Sequence, residues 1–564
     1  MTTSSQNLPE NGSGSPSRPS SPVDAAAEAY TRQLIELSPE LGAALGLADA
    51  GPGYSDYSPA GIAERAELDR RTLAELDRLE PVDAVDQVTL AAMRERLGLA
   101  LEEDESGWAG AVLNNIHSPA QQIRSILDLM PRETSSDWEH IAERLNRLPA
   151  AVDGYIAALS DSQAQGRVAA RRQVQTVIDQ ATRYAADSGF FDNLAAESSR
   201  TENLADNAQR AKTAYRELAD FLEQQLLPAA PEKDAVGRER YALASRAFLG
   251  KAVDLEETYA WGVEELDRII AEQEQVAGRI QTGASIAEAK ALLNADPQRQ
   301  LHGTDALQAW MQKLSDAAVA ELSGSHFEIP EVMRTLECRI APTQDGGIYY
   351  TPPSNDFSRP GRMWWSVPEG EDRFTTWAET STVYHEGVPG HHLQCATAIV
   401  QGDVLNTWRS SICWISGHGE GWALYAERLM QELGYLDDPG DAMGMLDAQR
   451  LRAARVVFDI GVHLELPVPA RWGSGTWDAQ KGYGFLEENL DMSRGQLDFE
   501  YTRYLGWPGQ APSYKVGQRI WEQIRDARAQ QEGTAFDLKA FHTEALSLGG
   551  LPLAVLEETL LKRP

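Results

Sequence analysis

The chain has 564 residues, 42% hydrophobic and 24% charged, with three cysteines and a formal net charge of -34 from 51 basic against 85 acidic residues. That length and apolar fraction suit a globular protein of two to four domains. The acidic balance argues against nucleic acid or an anionic membrane as partner, since both need clustered Lys and Arg, and an odd, sparse cysteine count without CxxC is no disulfide framework.

Residues 1–23 are mostly Ser, Pro, Gly and Asn, without a basic start followed by an apolar run. They predict a disordered tail, not a secretory signal. No 18-residue apolar run occurs, so no membrane span is expected and a cytoplasmic protein follows. Residues 24–328 predict an N-terminal helical region. Apolar residues recur there at three- and four-residue steps, as in VDQVTLAAMRERLGLALEE, and two long amphipathic stretches cover 202–227 and 251–281. Between 329 and 372 the texture turns β-branched and aromatic. IYYT and RMWWSV read as short antiparallel strands, with turn chemistry at Asp345-Gly346-Gly347 and Pro352-Pro353-Ser354-Asn355. From 373 to 564 a C-terminal helical region follows, broken by loops near 465–475 and 505–512. The expected fold is mainly α, with one small antiparallel sheet.

The next helical segment, VYHEGVPGHHLQ, holds His385, Glu386, His391 and His392. A zinc hydrolase needs three protein ligands, an open position and a carboxylate as general base. His385 and Glu386 offer a ligand and the base. Two ligands on one regular helix stand one turn apart, as in H-E-x-x-H. His391 comes six residues on, about 240° round the axis, so a straight helix would point the two apart. Val388-Pro389-Gly390 lies in the gap, and a kink or bulge there brings His391 back. His392 competes for the role. It is nearly in line with His385 but about 10 Å along an ideal helix, so the reading favours His391 and gives His392 a supporting place. A third ligand is sought in GHGEGWALYAERLMQELG, where Glu420 and Glu427 lie on one helix face. The EGWALY around Glu420 is similar to the segment that supplies the ligand glutamate in gluzincins of the aminopeptidase N type. Glu427 is the reserve.

HEGVPGHHLQ, GEGWALYAE, RAARVVFDIGVH and RYLGWPGQAPSYKVG together resemble the signatures of the bacterial family called domain of unknown function 885. The resemblance implies a metallopeptidase-like protein with a large helical two-lobed cleft similar to angiotensin-converting enzyme, neurolysin and carboxypeptidase Taq, and a small sheet beside the active-site helix. It implies His385, His391 and Glu420 as metal ligands, Glu386 as base, and one Zn2+ per chain, with Mn or Co also compatible with such ligands. Tyr514 is then the oxyanion donor, assisted by His463 or His418. Arg503 could hold a substrate carboxylate, and Tyr350 and Trp364, near an edge strand in IYYT or RMWWSV, could shape substrate pockets. The expected activity is zinc-dependent hydrolysis of peptides. The alternatives are a zinc amidase on a small non-peptide amide and a non-catalytic helical scaffold.

Overall fold

The first helix, Pro22–Leu37, begins where the Ser21 hydroxyl accepts from the Asp24 amide and the Asp24 carboxylate accepts from the Ser21 amide. This reciprocal cap satisfies two helix-end donors. The computed structural model describes residues 18–45, 51–198, 203–342 and 347–562. Of the expected tail, residues 1–17 therefore lie outside the described residues, while 18–23 are ordered. Arg18 holds that start in place through ion pairs to Asp24, Asp83 and Asp86.

The fold is mainly α. One apolar core is built from helices between residues 113 and 230, around Leu145, Val152, Tyr215 and Leu218. A larger one joins the opening helices, from Val23 to Leu97, to residues 241–560. The composition change at 328 therefore marks no boundary between cores. The earliest helices bury their apolar faces against the last ones, and burial chooses partners by face, not by distance along the chain. Among the described residues no helix is long and apolar enough to cross a membrane.

Strands β1 (Gln300–His302), β2 (Leu336–Ile340), β3 (Ile348–Thr351), β4 (Gly361–Trp365) and β5 (Arg373–Thr375) form two small sheets. β1 pairs with β5 antiparallel. The other sheet has the order β2-β4-β3. β3 and β4 are antiparallel, with Tyr350 opposite Met363, and β2 joins β4 in parallel. The central position of β4 engages its backbone on both sides, so RMWWSV is not a substrate edge; IYYT is an outer strand. Of the Asp345-Gly346-Gly347 turn, residues 345 and 346 lie outside the described residues. Under the sheet Leu336, Met363 and Trp365 pack on Leu307, Met311 and Val383.

Seven helices position the site: α1 (Leu255–Ile280), α2 (Thr376–Glu386), α3 (His391–Val400), α4 (Ser416–Glu432), α5 (Pro439–Leu464), α6 (Arg494–Gly506) and α7 (Ser513–Glu532). Helices α4 and α7 touch through backbone. A Cβ on Gly421 would lie 2.5 Å from the Gly517 carbonyl carbon, and one on Gly517 would lie 2.3 Å from the Gly417 oxygen. Only residues without Cβ permit that approach. It brings Tyr514, one turn before Gly517, beside Glu420.

Candidate metal centre

α2 ends on His385 and Glu386, and α3 begins on His391. The segment Gly387–Gly390 between them contains a cis Val388–Pro389 bond. The expected kink is thus a complete break between two helices. The Gly390 amide donates to the Tyr384 carbonyl at 3.0 Å. A Cβ on Gly390 would lie 1.9 Å from the His385 carbonyl oxygen, so the chain folds back this tightly only because residue 390 is glycine. The His385 and His391 rings come to 4.8 Å between centroids, at 87°.

Both rings face Glu420. His385 Nε2 lies 3.3 Å and His391 Nε2 3.4 Å from the same Glu420 oxygen, and one donor atom from each of the three residues falls within 4.8 Å of the others. These separations exceed the usual 2.7–2.9 Å of a charge-assisted hydrogen bond. They match the edge of a tetrahedron around an ion bonded at about 2.0–2.1 Å, which is roughly 3.3 Å. The other nitrogen of His385 is spoken for: Nδ1 donates to Glu427 at 2.7 Å, and the Ser381 hydroxyl donates to the second Glu427 oxygen at 2.6 Å. Glu427, the reserve ligand of the sequence reading, stands behind His385 and fixes its tautomer and orientation.

The electrostatics are those of a crowded buried site. Burial works against a charged His385, but Glu420 and Glu427 outweigh it and push the imidazole up to about 10. Glu420 is held well below the usual carboxylate range; burial opposes this, and His391 and His385 prevail. Burial raises the Glu386 carboxyl, with His385 and His391 pulling the other way. Glu386 Oε2 and His391 Nδ1 are buried with no hydrogen-bond partner among the described residues. Two imidazoles, one carboxylate, a carboxylate behind the first imidazole and an unsatisfied acid beside them fit a borderline divalent cation such as Zn2+.

The remaining expected residues divide. His392 is 1% exposed, with Nε2 2.7 Å from the Met333 carbonyl and Nδ1 2.9 Å from the Tyr350 hydroxyl. With Nε2–H given to Met333 and Nδ1 accepting from Tyr350, neither nitrogen is left for a metal. The pair ties α3 to the sheet, and Gly361 on β4 leaves the room, since a Cβ there would lie 2.6 Å from both atoms. Tyr350 is therefore a brace. Trp364 is on the central strand and donates to Thr351 at 2.9 Å. Arg503 is engaged through its two terminal nitrogens by Glu500 at 3.0 Å and Gln510 at 2.6 Å, and its Nε–H is buried with no partner among the described residues. His463 is fully buried, its Nε2 3.0 Å from the Tyr504 carbonyl. It lies eleven residues beyond Arg452 on α5, about 16 Å along the helix, and is not part of the centre. On the same helix Arg455 turns to Tyr504 and Glu500, and Asp459 accepts from Tyr241 and Gly509 with His463 Nε2 3.9 Å from its other oxygen. Tyr514 is half-buried at the start of α7, 5.2 Å under the Arg455 guanidinium. Burial raises its hydroxyl, as does Glu420. His418 lines a neighbouring cavity with Trp414 and Gln394.

Two residues escaped the sequence reading. The positive charge of Arg452 acts on Glu386, Glu427 and Tyr514 together; in the sequence it falls at helical steps with Arg455 and Asp459, a spacing that fits an ordinary ion-pair series and singles out none of its members. Trp414 is 54% exposed, with its ring 5.7 Å from that of His391. Neighbouring sequence offered no signal for it, because the loop before α4 has no periodicity to read.

Residues 39–560 match the family described as bacterial protein of unknown function, DUF885, and the chain belongs to it. No curated protein matches. Among solved structures, a candidate lipoprotein from Colwellia psychrerythraea superposes with a TM-score of 0.80 at 22% identity, covering 95% of this chain and 98% of the other. A second, a candidate lipoprotein of unknown function from Shewanella oneidensis, gives 0.73 at 16% identity, covering 96% and 100%. At such identities the likeness concerns the fold alone.

Proposed function

We propose that this member of the family is a zinc-dependent hydrolase of peptide bonds, acting on peptides and not on folded proteins. The observation that carries the reading is that His385 Nε2 and His391 Nε2 both stand at tetrahedral-edge separation from one Glu420 oxygen, with all three donor atoms within 4.8 Å of one another. A divalent cation held there supplies a Lewis acid for the scissile carbonyl and acidifies water. Glu386, adjacent to His385 and without a hydrogen-bond partner on Oε2, takes a proton from the attacking water and returns it to the leaving amine. Burial lifts its carboxyl toward the range a general base needs. The Tyr514 hydroxyl donates to the developing oxyanion, and Arg452 adds positive charge. The outer strand β3 offers main-chain pairing to an extended peptide.

The test is a peptide-library digest read by mass spectrometry, with and without chelator, beside metal analysis of the natural chain and Glu386→Gln. The expectation is about one zinc per chain in both, with hydrolysis lost in the variant by roughly 10²-fold or more. A folded, metal-free chain with no chelator-sensitive hydrolysis would overturn the reading and leave the scaffold alternative. Zinc-dependent cleavage of small amides but of no peptide would leave the amidase.

A further inference from the structure

A cavity of ≈ 190 Å³ opens one turn along α3 from His391. Its walls include Gln394 and Cys395 of α3, Trp414 before α4 and His418 in the first turn of α4. Trp414 joins it to the metal centre, since the same ring packs on His391. Cys395 marks the same proximity: burial pushes its thiol up to about 12, and the charges of Glu420 and Glu386 contribute.

The lining is unusual for this chain. Among the described residues no Asp or Glu borders the cavity, although the sequence has 85 of them, whereas Arg359 and Arg409 both do. Neither arginine forms an ion pair among the described residues. Arg409 is 1% exposed. Its guanidinium donates to the Leu548 carbonyl and to Thr89, while Nε–H has no partner among the described residues. Burial lowers its pKa only to about 10, so it is charged at neutral pH, and Asp24 acts on it without contact. A buried charge lacking a contacting counter-ion is costly, and an anion that docks against it removes the cost. Two further buried groups are unsatisfied among the described residues. The Gln394 amide donates to His418 Nδ1 at 3.3 Å, which puts the hydrogen on Nε2, and that nitrogen has no partner. Gln394 Oε1 has none either.

We propose that this cavity binds a carboxylate carried by an amino-acid residue of the substrate. Arg359, Arg409 Nε–H and His418 Nε2–H donate to the carboxylate, and Gln394 Oε1 accepts from the N–H of the same residue. The assignment to substrate rests on the reading of the neighbouring centre as a peptide hydrolase. A free C-terminus and an acidic side chain present the same chemistry.

The experiment is calorimetric titration of the full-length chain, metal-loaded and chelator-treated, with four probes. These are N-acetyl-dialanine, its C-terminal amide, and the C-terminally amidated N-acetyl-alanyl-glutamate and N-acetyl-alanyl-glutamine. At least one carboxylate probe is expected to bind roughly tenfold or more tightly than its uncharged counterpart, as a charged hydrogen-bonded contact implies. The preference should survive chelation. Selectivity for the free acid of dialanine assigns the C-terminus; selectivity for the glutamate probe assigns the side chain. Arg359→Gln, which breaks no side-chain hydrogen bond or ion pair among the described residues, should remove most of the preference. Arg409→Gln, checked for folding by circular dichroism, should do the same. Equal binding of acids and amides overturns the proposal. So does a preference that vanishes on chelation, which would locate the carboxylate at the metal centre, and so does one that both variants retain. A chain that hydrolyses no peptide yet keeps the preference would sink the hydrolase reading and leave the carboxylate site standing.

Discussion

Replacing Glu427 by Gln isolates what the residue behind a ligand contributes. The carboxylate is 1% exposed and accepts two hydrogen bonds, from His385 Nδ1 at 2.7 Å and from Ser381 at 2.6 Å. Gln keeps the shape and one acceptor oxygen. If that oxygen stays on His385, the new amide N–H meets the Ser381 hydroxyl, which can turn and accept. Buried volume and hydrogen-bond count are then conserved, and the change is the loss of charge on the partner of His385. A hydrogen bond to a charged group contributes about 1.5–3 kcal/mol and a neutral one about 0.5–1.5 kcal/mol. The midpoints differ by about 1.25 kcal/mol, which predicts a roughly eightfold weaker zinc affinity. Glu427→Ala leaves the His385 Nδ1–H buried without an acceptor and should cost about 100-fold, the upper end for such orienting partners. Competition with a chromophoric zinc chelator at fixed pH measures both. Affinities within twofold of the natural chain would refute the orienting role. Loss of zinc as complete as in His385→Ala would make Glu427 a ligand itself.

Three further predictions follow from the same geometry. His391→Asn should abolish zinc binding while His392→Asn retains one zinc per chain, because His392 is committed to Met333 and Tyr350; equal losses would erase the distinction. Gly390→Ala drives a Cβ into the His385 carbonyl and should lower stability to urea by about 1–3 kcal/mol and zinc occupancy with it. An unchanged urea midpoint with full occupancy would show that the break tolerates a side chain. Burial raises the Asp459 carboxyl from its ordinary value of 3.8 to about 7, against hydrogen bonds from Tyr241 and Gly509. A carboxyl raised on folding favours the native state below its unfolded value and loses that contribution as pH rises through the folded one. Stability from this group should therefore fall between about pH 4 and 7. Asp459→Asn should flatten that part of the stability curve, and an unaltered slope would argue that Asp459 ionises freely.

Local pattern explains which parts of the fold could be read from the chain. The long amphipathic stretches became the helices Leu204–Phe221 and α1, and the two aromatic runs became the antiparallel pair β3 and β4. In each case one face is apolar at a single period, so neighbouring residues decide the structure. The parallel pairing of β2 with β4, and the packing of Val23–Leu97 against the C-terminal helices, have no such local signature. A strand or helix advertises its apolar face but not the face it will meet. The start of the first helix was misread for a related reason: Arg18 belongs to a Ser- and Pro-rich stretch, and its three acidic partners include two more than sixty residues away.

The candidate ligands were legible because coordination chemistry restricts such groups to a few residue types, whereas their meeting depends on residues that carry no chemistry. Gly390 lets His391 fold back on His385, and Gly417, Gly421 and Gly517 let α4 and α7 touch, bringing Tyr514 to Glu420. Each of these glycines sits inside one of the short motifs that stand out in the sequence, within a few residues of a proposed ligand or donor. Each of the motifs HEGVPGHH, GHGEGW and SYKVG thus supplies a reactive side chain and bare backbone: Gly390 closes on its own motif, whereas GHGEGW and SYKVG close on each other. Arg452 and Trp414 lie outside the glycine contacts, on an ordinary helical step and in a loop. A reading of motifs passes over them although they stand at the same centre.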